Sequence, residues 1–139
     1  MITPGEAVFV DTGAWVALAE TADALHDRAR AQWRLLGHAG ARLYTSVPVI
    51  IETFTFLDRH GPPGGATRWR RSLEVVDRFE ILTCSKADLN DAWQYFDRKE
   101  FHRLSIVDAT SFTLMRKHKI RVAFAFDAHF AIAGFHFVG

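Results

Sequence analysis

A chain of 139 residues with 49% hydrophobic and 24% charged side chains is long enough to bury a core and too apolar for intrinsic disorder. A formal net charge of +1 does not by itself advertise nucleic-acid binding, and a single cysteine, Cys84, excludes an internal disulfide and a thiolate zinc cluster. No apolar run nears the roughly 20 residues that cross a bilayer, and the first residues lack a basic, apolar, small-residue leader pattern; the expectation is one cytoplasmic domain, residues 1–139, with no membrane partner.

In chain order, Ala7-Val8-Phe9-Val10 is short, apolar and rich in β-branched residues, and reads as a buried strand ending at Asp11. Residues 13–20 follow as a helix with Trp15, Val16, Leu18 and Ala19 on one side. A second helix is predicted from about Ala24 to Leu36, closed by Gly37. Leu43, Tyr44 and Thr45 form a second strand. Ser46 then caps a helix with Pro48 in its first turn, which runs through Ile50, Ile51, Phe54 and Leu57 to Gly61. The run Gly61-Pro62-Pro63-Gly64-Gly65 breaks the chain, and a helix follows from about Ala66 to Arg78.

Glu80 to Thr83 is the third predicted strand. Ser85 caps a helix carrying Leu89, Ala92, Trp93 and Phe96, and Ser105 caps another carrying Val107, Ala109, Phe112, Leu114 and Met115. Val122 to Phe126 is an apolar strand ending at Asp127, and Phe135 to Val138 a last short one. Buried strands alternating with helices predict a three-layer α/β/α sandwich around a central parallel sheet. Ligands in such sheets gather beyond the carboxyl ends of the strands, where Asp11 and Asp127 stand.

Four acids sit in unusually apolar surroundings: Asp11 after Val8-Phe9-Val10, Glu52 after Val49-Ile50-Ile51, Asp108 within Ser105-Ile106-Val107-Asp108-Ala109, and Asp127 after Phe124-Ala125-Phe126. A buried lone carboxylate is costly, so each needs a reason. Asp11, Asp108 and Asp127 each have a bland one, capping a helix or complementing its dipole. Glu52 is mid-helix with no capping role, though an arginine elsewhere in the chain is a conceivable partner. If all four meet, their repulsion calls for a hard divalent cation, magnesium or manganese, and the natural chemistry of such a site is phosphodiester hydrolysis.

The ordered set Val8-Phe9-Val10-Asp11-Thr12-Gly13-Ala14-Trp15, Thr45-Ser46-Val47-Pro48-Val49-Ile50-Ile51-Glu52, Leu104-Ser105-Ile106-Val107-Asp108-Ala109 and Phe126-Asp127-Ala128-His129-Phe130 resembles the PIN-domain family, and within it the VapC-type toxins. The resemblance implies a metal site of Asp11, Glu52, Asp108 and Asp127 with Thr12 as hydroxyl support. It implies endoribonuclease activity on an RNA substrate with Mg2+ or Mn2+, homodimerisation, and a small inhibitory antitoxin protein of a type II pair. Many relatives carry a polar or acidic residue directly before the last acid, where this chain has Phe126, so no fifth carboxylate stands at that place. An antitoxin segment is expected in an apolar groove near Trp15, Trp33, Phe54, Phe56 and Trp69, with a basic residue reaching the carboxylates.

Setting the four acids aside leaves the remainder at about +5, the sign that suits a polyanion. Arg68, Arg70 and Arg71 around Trp69, and the stretch Lys117, Lys119 and Arg121, read as solvated helix faces or as phosphate contacts. Asp11-Thr12-Gly13-Ala14 also matches an aspartic-protease signature, which would need an all-β chain. A histidine-based metal enzyme lacks a His-x-x-x-His pair; His129, two after Asp127, is within reach of the site, though packing or surface contact is its more ordinary role. A catalytically inactive PIN-like binding module is the remaining alternative, against which the four retained acids argue.

Overall fold

The computed structural model describes residues 2–139. Five strands, β1 (Ala7–Val10), β2 (Arg42–Ser46), β3 (Phe79–Leu82), β4 (Val122–Phe124) and β5 (His136–Phe137), form one sheet in the order β3-β2-β1-β4-β5. All four pairings are parallel, with Phe9 opposite both Tyr44 and Ala123. Val8, Phe9 and Val10 are fully buried, which is why the central strand is apolar without alternation. Among the described residues seven α-helices connect the strands: α1 (Thr12–Ala19), α2 (His26–His38), α3 (Val47–His60), α4 (Gly65–Ser72), α5 (Lys86–Ala92), α6 (Ile106–Lys117) and α7 (His129–Ile132).

The sheet grows from β1 towards β3, then returns across β1 to β4. Right-handed crossovers put α1 to α4 on one face and α5 to α7 on the other, the three layers expected. Each layer has its own aromatic nucleus. Trp15 meets Trp33, Trp69 and Phe79 at centroid distances of 5.9, 5.9 and 5.8 Å. On the other face Phe112 meets Tyr95, Phe130 and Phe135 at 5.3, 4.9 and 5.8 Å.

The predicted serine caps are present. Ser46, Ser85 and Ser105 accept the backbone N–H of Val49, Asp88 and Asp108. At α5 the box is reciprocal, since Asp88 accepts the Ser85 N–H in return.

Several boundaries differ from expectation, each for a tertiary reason. Helix α1 buries Ala14, Trp15, Val16 and Ala17 in succession rather than one stripe, because it lies between the sheet, α2 and α3. Gly37 does not close α2; the chain leaves at Gly40, which takes a left-handed φ of +60°. The helix beginning near Ala66 stops at Ser72, whose hydroxyl bonds to the Trp69 carbonyl, and a 3-10 turn over Leu73–Val75 follows. The helix after Ser85 ends at Ala92 and tightens into a 3-10 turn over Trp93–Asp97. That tightening buries Tyr95 and leaves Trp93 and Phe96 about half exposed, the reverse of the expected apolar face. Strand β4 stops at Phe124 because Ala125 and Phe126 lead out to the site.

Candidate metal centre

Strand β1 delivers Asp11 to the carboxyl edge of the sheet, beside the crevice where the chain's direction of growth reverses. The Asp11 backbone N–H donates to the Phe124 carbonyl at 3.0 Å, tying it to β4. Beneath it Thr45 donates to the Val10 carbonyl at 2.8 Å and accepts the Trp15 indole N–H at 3.2 Å. Asp11 occupies the N-cap position of α1; its carboxylate makes no well-aligned capping hydrogen bond, and the Thr12 and Gly13 peptide N–H groups only partly offset its burial. Its Oδ1 is buried without a partner, and the residue is only 5% exposed.

The other three acids arrive from separate elements. Glu52 projects half-buried from the second turn of α3. Asp108 stands in the first turn of α6, buried. Asp127 lies on the exposed loop beyond β4, where its Oδ1 accepts the His129 N–H at 2.9 Å, so the bland local role is partly realised there. Among the described residues no lysine or arginine forms an ion pair with any of the four. The arginine partner considered for Glu52 is not found.

Each of the four feels the charge of others, but only Asp108 and Asp127 come to ligand spacing of one another; Asp11 and Glu52 lie near enough to repel without joining that cluster. Burial, then repulsion from Glu52 and Asp127, pushes the Asp11 carboxyl up to about 7, against the pull of the Thr12 and Gly13 peptide N–H groups. Burial, then repulsion from Asp11, Asp127 and Glu52, pushes Asp108 up to about 8. One carboxylate oxygen each from Asp108 and Asp127, with a ring nitrogen of His129, lie within 4.8 Å of one another. An orphaned buried oxygen beside repelling oxygens with no cationic side chain is a donor set that fits a hard divalent cation.

Thr12 opens α1, and its hydroxyl accepts from Thr53 at 3.2 Å. That bond links α1 to α3 beside Glu52. Thr53 was not foreseen; its only signal was its place directly after Glu52. His129 was seen but read as packing.

The expected aromatic groove needs correction. Trp15 and Trp69 are 3% and 6% exposed and belong to the core, Trp33 and Phe54 are half-buried, and Phe56 alone of the five is exposed. A cleft of about 980 Å³ nonetheless opens along this nucleus, lined by the edges of Trp15, Trp33 and Trp69 with Leu18, Arg30 and Arg68. A second cleft of about 740 Å³ runs along α3 and α6, with Ile51, Phe56 and Ile106 exposed beside Glu52.

A parallel α/β sandwich with acidic side chains at the carboxyl edge of its sheet is an architecture used by nuclease domains. Residues 8–135 match the PIN domain, and the chain belongs to that family. Its relatives within the family are VapC-type toxins. It is 39% identical over 130 residues to the 23S rRNA-specific endonuclease VapC20 of Mycobacterium tuberculosis, in strains CDC 1551 and H37Rv, covering 92% of this chain and 95% of the relative. The crystal structure of VapC20, described as a sarcin–ricin loop cleaving toxin, superposes with a TM-score of 0.81 and 33% identity over 92% of this chain and 95% of that one. The PIN domain endonuclease Utp24 shares the fold at a TM-score of 0.54 and 18% identity, over 96% of this chain and 84% of that one. No helix among the described residues is long and apolar enough to cross a membrane.

Proposed function

We propose that this chain is a divalent-metal-dependent endoribonuclease, the toxin of a type II toxin–antitoxin pair, acting in the cytoplasm as one nuclease domain over residues 1–139. The observation that supports the reading is the buried, unpartnered Asp11 Oδ1 near the Asp108–Asp127 cluster, with no lysine or arginine paired to any of the four acids among the described residues. Asp11, Asp108, Asp127 and Glu52 hold Mg2+ or Mn2+, and the Thr12 hydroxyl supports the site. The bound cation supplies a lowered pKa for an attacking water and neutralises charge building on the phosphate. Positive charge on the rest of the chain favours the RNA. Arg28, stacked over the Phe126 ring at 5.4 Å, places a permanent cation beside the segment that carries Asp127.

An inactive binding module is disfavoured because it has no physical use for mutually repelling buried carboxylates. The identity with VapC20 makes a structured 23S rRNA loop the first substrate to test. The purified chain, incubated with ribosomes and with free 23S rRNA, should produce discrete cuts in Mg2+ or Mn2+ and none in EDTA or with Asp108→Asn. Primer extension locates them. Intact RNA of every class in both metals would favour the inactive module.

Two partners complete the reading. The cleft along Trp15, Trp33 and Trp69 suits a short amphipathic antitoxin segment; none of the four carboxylates lines it, so a basic residue of the antitoxin would pair with them from beyond the cleft. The exposed apolar face of Val47, Ile51, Phe56 and Ile106 suits a second copy in a homodimer.

A further inference from the structure

We propose that His129 supplies a nitrogen ligand to the cation held by the carboxylates, making this an oxygen–nitrogen site that prefers Mn2+ to Mg2+. The inference rests on the metal-site reading above. It starts from the imidazole's two nitrogens. Nε2 lies 2.9 Å from the His102 carbonyl oxygen. A carbonyl oxygen only accepts, so Nε2 carries the proton and donates it. In the neutral ring Nδ1 then holds a lone pair. Nδ1 is buried and has no hydrogen-bond partner, although it sits 2.9 Å from Asp127 Oδ1. The two atoms lie side by side rather than in hydrogen-bond alignment.

Two lone pairs at that separation repel unless a proton or a metal cation lies between them; a proton would make an imidazolium–carboxylate pair, for which the two atoms are poorly aligned. The spacing itself fits a metal cation. Ligands at right angles on bonds of about 2.1 Å stand about 3.0 Å apart, the edge of an octahedral site. An Asp108 oxygen shares the same cluster within 4.8 Å. Asp11 adds an independent observation, because its Oδ1 is unpartnered while the residue is 5% exposed.

The ring is held for this role. Asp127 Oδ1 accepts the His129 backbone N–H, which fixes the first turn of α7. Phe101 packs against the imidazole at 6.3 Å. The His102 carbonyl orients the ring and selects the tautomer, as outer partners of metal-bound histidines do. His129 therefore offers a polar group beyond the four acids, which Phe126 does not. Imidazole nitrogen is a softer donor than carboxylate or water oxygen, which moves preference from Mg2+ towards Mn2+ and its neighbours.

The test uses the full chain, first stripped with EDTA. Pulsed electron paramagnetic resonance of the Mn2+-loaded wild type should show modulation from a directly bonded 14N nucleus. Calorimetric titration should show Mn2+ binding at least about tenfold tighter than Mg2+. In His129→Gln the nitrogen modulation should vanish, and Mn2+ affinity should fall roughly ten- to hundredfold, more than Mg2+ affinity falls. Mn2+ bound to the wild type without nitrogen modulation overturns the inference and leaves the carboxylate site standing. That measurement needs no variant, so poor folding of His129→Gln cannot rescue the idea. An unchanged Mn2+ to Mg2+ ratio in a folded His129→Gln overturns it too. Failure of either cation to bind the wild type sinks the inference together with the metal-site reading.

Discussion

Replacing Asp11 by asparagine is expected to stabilise the metal-free protein above neutral pH while abolishing its cleavage of RNA. The Asp11 carboxyl is held at about 7 against an ordinary 3.8. Keeping it charged therefore costs the folded state about 4 kcal/mol once the pH exceeds both values. The sign follows from proton counting. Between pH 3.8 and 7 the folded protein keeps a proton that the unfolded chain has lost, so stability falls as the pH rises, and Asp108 extends that fall to about 8. Below 3.8 both states are protonated and the penalty disappears. Asparagine cannot ionise and also relieves repulsion on Asp108. Its amide still needs partners in a buried position, which takes back part of the gain, leaving a net stabilisation of about 1–3 kcal/mol at pH 8.5. For a chain of this size that raises Tm by roughly 3–10 °C. Urea and thermal denaturation in EDTA, followed by circular dichroism from pH 4 to 8.5, measure it. The difference between variant and wild type should open above about pH 4 and level off near pH 8. A variant less stable than wild type at pH 8.5, or a difference that does not change with pH, would refute the reasoning and restore a structural role for Asp11.

Saturating Mg2+ or Mn2+ should raise the wild-type Tm, by an amount equivalent to about 2.7 kcal/mol at a hundred times Kd, and should raise that of Asp11→Asn far less. Calorimetric scans with and without EDTA check this, and no shift in either cation would count against a metal site. Glu52→Ala should weaken metal binding and cleavage together with little change in stability, because no described basic side chain pairs with Glu52; full activity in the variant would remove Glu52 from the site. Ser85→Ala should destabilise the fold by about 1 kcal/mol through loss of the α5 cap, without affecting metal affinity. The Asp88 carboxyl is held below its usual value by the Ser85 N–H and by Lys117 at 3.1 Å, so its contribution is present above 3.8 and disappears as the pH falls through the lowered value; denaturation of Asp88→Asn across that range reads it.

The strands, their order along the chain and the serine caps are local properties, and they were legible as such. An apolar run such as Val8-Phe9-Val10 has to be a buried strand, and Ser46, Ser85 and Ser105 each cap the helix that follows them. The four acids were legible because a carboxylate in an apolar context violates local economy and asks for a partner. That these acids meet was an inference from sequence. The tertiary structure brings Asp108 and Asp127 to ligand spacing and sets Asp11 and Glu52 near enough to repel them, each from a different element. The early end of α5, the burial of Tyr95 and the exposure of Trp93 were not legible, since a helix and a 3-10 turn share the same apolar residues and packing against α6 selects between them. The role of His129 was hidden for a similar reason. A histidine two residues after an acid is ordinary in sequence; what distinguishes it is the His102 carbonyl, 27 residues away, which takes one ring nitrogen and leaves the other beside Asp127. Local sequence specifies which groups are chemically strained, and long-range packing specifies which of them share a solution to that strain.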